Sequence, residues 1–83
     1  MSKLRASDRT DYRALLSKYA RLESEFRLNE DLLHLSPDGT LEGSLWVIHV
    51  RTGLGVTFQL NKFRMNWLES FEDFLRQDVF PRE

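Results

Sequence analysis

Cysteine is absent from this chain of 83 residues, which excludes a disulfide framework, a thiolate metal site and a catalytic thiol. Long hydrophobic runs are also absent. No segment approaches the roughly eighteen apolar residues that span a bilayer, and residues 1–10 lack the apolar stretch of a secretory signal. These absences predict a cytoplasmic protein with no membrane partner.

The short length predicts a single small domain over residues 1–83, with disordered termini at 1–6 and 81–83. A chain of this size buries only about 60% of its unfolded surface, so association into a homodimer would supplement a modest stability. The net charge of −1 indicates no partner by itself. Residues 1–27 carry seven basic and four acidic side chains, which leaves −4 for the remainder. This asymmetry is typical of either a charged contact surface or a solvated helix.

Residues 31–60 have the pattern of three β-strands separated by two turns. The first turn is Ser36-Pro37-Asp38-Gly39 and the second is Thr52-Gly53-Leu54-Gly55, where proline and glycine supply the backbone angles that turns require. Apolar residues alternate along the second and third strands. They predict one core-facing side formed by Trp46, Ile48, Val50, Val56, Phe58 and Leu60.

Two amphipathic helical segments flank these strands. The first is predicted to begin at a cap on Ser7 or Asp8 and to carry an apolar stripe at helical spacing, made of Tyr12, Leu15, Leu16, Tyr19, Leu22 and Phe26. Its residues also fit a short heptad seam, although packing on the chain's own sheet is the favoured interpretation. The second is predicted to begin at Asn66, with Glu69 completing a capping box, and to bury Trp67, Leu68, Phe71, Phe74, Leu75 and Val79.

The predicted fold is therefore α+β: an N-terminal helix, a three-stranded antiparallel meander and a C-terminal helix, with both helices on one sheet face. One residue disagrees with this pattern. Leu41 has the opposite parity to Trp46, so a regular strand would send the two side chains to opposite faces. A β-bulge at Gly43 would bring them to the same side.

The side chains suited to chemistry do not converge. His34 and His49 are predicted to lie on the strand face away from the helices, too far apart to share a metal ion. The acidic residues Glu69, Glu72 and Asp73 have the spacing of a solvated helix face. The glycines at 53 and 55 lack the lysine and the following helix of a phosphate-binding loop. No catalytic residue, metal site or cofactor is predicted, and the chain is expected not to be an enzyme.

The α-β-β-β-α order resembles the double-stranded RNA-binding domain and the opening half of a secretion-chaperone fold, in topology alone. The resemblance implies nucleic-acid binding or a chaperone role as alternative functions. The RNA-binding domain opens its second helix with a lysine-rich contact to phosphate, whereas residues 66–73 here carry three acids. Lys62 and Arg64 are the only nearby bases, and under this alternative they are the candidate nucleic-acid contacts.

The sheet face predicted to point away from the helices combines apolar and polar side chains. Open antiparallel sheets normally present a polar face to water, so adjacent Leu45 and Val47 predict contact with another protein or a second copy. The leading hypothesis is a small non-enzymatic protein-binding module that acts as a regulator, adaptor or inhibitor of a larger intracellular complex. Its predicted partner-binding residues are Leu45, Val47, His49, Arg51, Leu54, Thr57 and Gln59.

Overall fold

The chain folds as a three-stranded antiparallel sheet that is preceded and followed in sequence by a helix, and both helices pack on one face of the sheet. A computed structural model describes residues 4–61, 63 and 66–81. The elements are α1 (Ala6–Lys18), a 3-10 turn (Glu23–Glu25), β1 (Phe26–Leu35), β2 (Leu41–His49), β3 (Gly55–Leu60) and α2 (Trp67–Arg76). The strands form one sheet in the order β1-β2-β3, which confirms the predicted α-β-β-β-α fold. Neither helix of the described part is long and apolar enough to cross a bilayer.

The first helix is shorter than predicted. It ends at Lys18, and the chain closes the helix by donating from Ala20 N–H to the Ser17 carbonyl (3.1 Å) and from Arg21 N–H to the Leu16 carbonyl (2.8 Å). Ala20 has a φ of 56°. This is the Schellman arrangement, in which a left-handed residue turns the chain away from the helix axis. β1 therefore starts at Phe26 instead of residue 31.

The predicted helix caps also differ from the structure. The residue before α1 is Arg5, which makes no side-chain capping bond, and Asp8 instead pairs with Arg5 at 3.2 Å. Asn66 does precede α2 as predicted, but its amide donates to Glu69 Oε2 (2.8 Å) instead of forming the capping box. The expected Ser7 or Asp8 cap and the expected capping box are therefore wrong, although the start of α2 is confirmed.

The described ends of the chain pack into the domain. Leu4 and Phe80 are both buried members of the core, and Pro81 is exposed. Residues 1–3, 82 and 83 of the termini predicted to be disordered lie outside the described residues.

The core lies between both helices and one face of the sheet. Phe71 of α2 is fully buried at its centre, where its ring lies 5.8 Å from Tyr12, 5.9 Å from Phe26 and 6.2 Å from Phe58, between ring centres. Aromatic pairs at these separations add to the free energy gained by removing apolar surface from water. The sheet side of this core consists of Phe26, Leu33, Leu41, Leu45, Val47, Phe58 and Leu60.

β2 faces the helices with the opposite set of residues to the predicted one. Leu45 and Val47 are 0% exposed, and Leu45 lies directly opposite the buried Phe58 of β3. Trp46 is 38% exposed and points away from the helices. The prediction that Trp46, Ile48 and Val50 line the core is therefore wrong, whereas burial of Phe58 and Leu60 is confirmed.

The position of the second hairpin loop explains this difference. The loop spans residues 50–54, and the His49 N–H donates to the Leu54 carbonyl at 2.7 Å. For the even-numbered residues of both strands to share the core-facing side, as predicted, the pairing of β2 with β3 would have to differ from this one by an odd number of residues. Changing the pairing by an odd number of residues exchanges the two faces of a strand, because side chains alternate.

The predicted bulge is in a different strand. β2 is regular from Leu41 to His49, and the irregularity falls in β1, where two residues between Asn29 and Leu32 face a single residue of β2. The extra residue lets both Phe26 and Leu33 point into the core despite their opposite parity. The prediction of a bulge at Gly43 is therefore wrong.

Gly43 is nevertheless required by its surroundings. Its φ is +117°, and a Cβ placed there would lie 2.1 Å from the carbonyl oxygen of Leu32 in the bulged strand. This separation is far below van der Waals contact, so only glycine allows the two backbones to approach this closely.

The first turn has the predicted form. The Gly39 N–H donates to the Ser36 carbonyl (2.9 Å), and Gly39 has a φ of 86°. Asp38 Oδ1 accepts hydrogen bonds from the Ser36 hydroxyl (2.6 Å) and the Thr40 N–H (2.9 Å). These bonds favour the ionised carboxylate and lower the pKa of Asp38 to about 2.

The first turn should contribute to the stability of the fold in a way that depends on pH. Because the pKa of Asp38 is lower in the folded chain than its ordinary value of 3.8, the contribution is complete above pH 4 and is lost as the pH falls towards 2. An Asp38→Asn variant should lack this part of the pH dependence. Carboxyl chemical shifts would give the pKa, and denaturant unfolding at several pH values would give the stability. An Asp38 carboxyl that titrates at its ordinary pKa would contradict this expectation.

Substitution of Gly43 tests the close approach to β1. Gly43→Ala should destabilise the fold by at least the 1–3 kcal/mol that is typical of a strained backbone position, because the new methyl group also displaces Leu32. Gly39→Ala is the matched control, since Gly39 also has a positive φ but has open space around it. Equal losses of unfolding free energy in the two variants would show that the Leu32 contact contributes nothing.

Candidate binding surface and buried polar cluster

The sheet face opposite the helices is open among the described residues, and we call it the open sheet face. Its members follow from the alternation of side chains about the buried Leu33, Leu45 and Phe58. They are Arg27, Asn29, Leu32, His34, Glu42, Ser44, Trp46, Ile48, Gly55, Thr57 and Gln59.

Trp46 and Ile48 occupy the centre of the open sheet face. Trp46 lies between Asn29 of β1 and Thr57 of β3. A Cβ at Gly55 would lie 3.6 Å from Ile48 Cγ1 and 3.7 Å from Trp46 Cε3, so both side chains lie beside the glycine. The missing side chain at Gly55 leaves the indole and the isoleucine as one continuous apolar centre on the middle strand.

Polar groups surround this apolar centre. Arg27 is exposed beside Ile48, and His34 Nε2 lies 3.7 Å from Glu42 Oε2 towards the other end of β2. On the β3 side, the Gln59 amide donates to the Ser44 hydroxyl at 2.8 Å. An apolar centre with a polar rim is the usual composition of a protein–protein contact surface.

The structure separates the predicted partner-binding residues into two groups. Leu45, Val47 and His49 are each 0% exposed within the core, so the prediction that they lie on the free face is wrong. The remaining four are exposed. Thr57 and Gln59 lie on the open sheet face, and Arg51 and Leu54 lie in the second hairpin loop. Trp46 and Ile48 replace the buried residues as the apolar part of that face.

The candidate nucleic-acid contacts Lys62 and Arg64 lie outside the described residues. The three acids of α2 each bond to neighbouring side chains. Glu72 accepts from Lys18 Nζ (2.6 Å) and the Tyr19 hydroxyl (2.9 Å), which lower its pKa, whereas Asp73 pairs with Arg76 at 2.8 Å. Within residues 4–61, 63 and 66–81, no three carboxylate or histidine side chains are grouped to hold a metal ion.

A buried polar cluster, which the sequence reasoning missed, consists of Arg21, Glu25 and His49. Arg21 Nη1 donates to Glu25 Oε1 at 3.2 Å, and both side chains are almost fully buried. His49 Nδ1 lies 2.8 Å from the Thr52 hydroxyl, and its Nε2 lies 3.8 Å from Glu25 Oε1. The second Glu25 oxygen accepts from the Leu22 N–H at 2.7 Å.

Arg21 also binds the segment that follows α2. Its Nη2 donates to the Phe80 carbonyl and its Nη1 to the Pro81 carbonyl (3.4 Å). The Phe80 ring packs 5.1 Å from Phe26 and 5.9 Å from His49, between ring centres. The cluster therefore joins the end of α1, the second hairpin loop and the chain after α2, and it is enclosed in the fold instead of facing a ligand.

A groove of about 570 Å³ lies beside β3, between that strand and α2. Aromatic side chains form much of its wall. Its lining residues are Thr57, Phe58, Gln59, Phe63, Asn66, Trp67, Ser70 and Phe74.

The buried ion pair should behave as a unit in unfolding experiments. Arg21→Met should destabilise the domain by about 3–5 kcal/mol, because it leaves the Glu25 charge and the Phe80 carbonyl buried without their donor. The double variant Arg21→Met/Glu25→Gln should recover part of this loss, since no unpaired charge remains. Denaturant unfolding of both single variants and the double variant gives the coupling energy. Strictly additive losses would contradict a paired role.

The open sheet face and the buried polar cluster are thus the two notable groupings of side chains in the described residues, one exposed and one enclosed. Comparison with models of known protein families, with curated proteins and with solved structures finds no match to this chain.

Proposed function

We propose that this protein is a small non-enzymatic protein-binding module, and that the open sheet face is its contact surface. The observation that carries the proposal is Trp46, a large aromatic side chain that remains 38% exposed at the centre of the sheet. In this proposal the module acts as a regulator, adaptor or inhibitor of a larger complex in the cytoplasm, where a fold that needs no disulfide is at no disadvantage.

The composition of the open sheet face supports protein recognition. Solvent-facing sides of antiparallel sheets are normally polar, whereas this one has Trp46 and Ile48 at its centre and the exposed Leu32 nearby. Tryptophan is among the residues most enriched where binding energy concentrates in protein interfaces. Arg27 and Glu42 lie on either side along the strands and would orient a partner through charge.

The rigidity of the surface supports action by occlusion. The apolar centre is on the middle strand, which pairs with β1 on one side and β3 on the other. Its backbone is therefore held by hydrogen bonds on both sides, and little conformational entropy is lost when a partner covers it. A rigid surface of this kind suits covering a site on a larger protein.

The positions of the ionisable side chains support a function without catalysis. His49 is enclosed by Phe26, Phe80 and the Glu25 carboxylate, so it offers no proton to a substrate in solvent. The acids of α2 disfavour the RNA-binding alternative, because carboxylates there would repel a phosphate backbone.

Substitution of Trp46 tests the proposed surface. Trp46→Ser should weaken binding of the physiological partner by about 30-fold or more, the effect of losing a hot-spot residue worth at least 2 kcal/mol. The measurement is quantitative mass spectrometry of proteins captured from the native cell, followed by titration of the recovered partner. Circular dichroism should show the fold retained.

Two control variants make the result specific. Leu35→Ser removes an apolar side chain that is 67% exposed at the end of β1 and should leave capture unchanged. Val47→Ser removes a fully buried side chain and should lower the stability of the domain instead. Capture that survives Trp46→Ser, or that is lost equally with Leu35→Ser, would rule out the open sheet face.

A further inference from the structure

We propose that the free edge of β3 pairs with β3 of a second copy of this chain. The pairing is antiparallel about a two-fold axis at Thr57 and joins the two sheets into one of six strands. It differs from the proposed function because it uses the backbone of the β3 edge. Thr57 and Gln59 also belong to the open sheet face, but the apolar centre of that face, Trp46 and Ile48, stays uncovered.

The two edges of the sheet differ in their protection against strand pairing. The β1 edge carries Arg27, Glu30 and Asp31 and contains the β-bulge. The Glu30 carboxylate also accepts the Leu4 N–H (2.9 Å) and pairs with Arg9 at 2.7 Å, which fastens the N-terminal segment to that strand. Charges, bulges and covering segments are the devices by which proteins prevent edge strands from pairing.

The β3 edge has none of these devices within the strand itself. Its sequence, Gly55-Val56-Thr57-Phe58-Gln59-Leu60, contains no charge and no proline, and its register with β2 is unbroken. In the described residues it pairs with β2 alone. An uncharged, regular edge of six residues is a template for another strand.

The hairpin identifies which backbone groups point outward from β3. The His49 N–H donates to the Leu54 carbonyl, and these two residues continue the register in which Ile48 lies opposite Gly55, so this position has the hydrogen-bonded type of pairing. Hydrogen-bonded and non-bonded pairs alternate in an antiparallel ladder. Val56 and Phe58 therefore bond inward to β2, whereas Gly55, Thr57 and Gln59 present their N–H and C=O groups to the free edge.

This spacing is self-complementary about Thr57. With Thr57 opposite Thr57 of the second copy, each residue supplies both an N–H and a C=O to the other, and Gly55 lies opposite Gln59 of the second copy. On the core side, Phe58 lies opposite Val56 of the second copy. Threonine pairs and aromatic–β-branched pairs are favourable cross-strand neighbours. No charged side chain meets another within this pairing.

The groove beside β3 provides apolar surface on the core side of the same edge. Phe58 and the half-buried Phe74 line it, and Val56 is half-buried in the same strand. A strand added to β3 extends the sheet over this groove and buries the exposed parts of these side chains. The net charge of −1 offers little resistance to self-association, and a small core gains stability from a second copy.

Single cysteines test the pairing directly, because the natural chain has none. At a hydrogen-bonded antiparallel pair, the Cα atoms lie about 5.5 Å apart, within the range that a disulfide bridges. Thr57→Cys should therefore form a covalent dimer under mild oxidation at low micromolar concentration. Leu35→Cys is the matched control on the opposite edge, where the side chain is 67% exposed, and it should remain mostly uncrosslinked.

Opposite charges at the axis give a second test. In sedimentation equilibrium, the wild-type chain should show a species of twice its 9.9 kDa mass. Thr57→Lys and Thr57→Glu, which place like charges opposite each other, should each raise the dimer dissociation constant at least tenfold. An equimolar mixture of the two variants should restore the dimer. Circular dichroism confirms the fold of each variant, and Leu35→Lys is the charge control.

Three outcomes would overturn the pairing. The first is a wild-type chain that sediments only as a monomer up to millimolar concentration, which would leave the β3 edge to a strand of another protein or to no partner. The second is a dimer that persists unchanged in Thr57→Lys, which would place the contact elsewhere. The third is equal crosslinking of the two cysteine variants, which would indicate random collision. The Trp46→Ser capture experiment is independent of all three, because Trp46 does not lie on the β3 edge.

Discussion

The inward direction of Leu45 and Val47 determines the arrangement of the rest of this fold. β2 is the middle strand, so its register decides which residues of both neighbours face the helices. With Leu45 opposite Phe58, the core forms around Phe71, and the even-numbered residues of β2 must point to solvent. The apolar centre of the open sheet face is thus the direct consequence of a central strand that carries apolar residues on both sides.

The order of elements could be predicted from the sequence because local signals mark it. Pro37 and Gly39 define the first turn, and Asn66 precedes an apolar stripe with helical spacing. No such local signal shows which side of β2 faces the core, since Leu45 and Val47 alternate as regularly as Trp46 and Ile48. The length of the second hairpin loop decides it, because that length sets which residues of β2 lie opposite which residues of β3. Leu41 has the parity of Leu45, and taking that agreement at face value would have given the correct side without a bulge.

The candidate site was predicted only in part for a related reason. The alternation along β3 predicts Thr57 and Gln59 on the free face, because this strand has one apolar and one polar side. The cluster of Arg21, Glu25 and His49 cannot be predicted from the sequence because charged side chains are rarely buried. The Arg21–Glu25 pair is local, but the contacts that enclose it, with His49 and with the segment after α2, are tertiary. The spacing of Arg21 and Glu25 matched a continuing helix, whereas the chain leaves the helix at Lys18. No sequence pattern indicates that the Arg21 guanidinium also donates to the Phe80 carbonyl.

The bonds from Arg21 to the Phe80 and Pro81 carbonyls span 59 and 60 positions of the chain, and this has a consequence for biosynthesis. During translation, the guanidinium and the Phe26 and His49 rings must wait for the segment after α2 before they acquire their final neighbours. A nascent chain that stops short of residue 80 therefore holds an unclosed hydrophobic centre and an exposed ion pair. The domain therefore completes its core only after the segment that follows α2 has been synthesised.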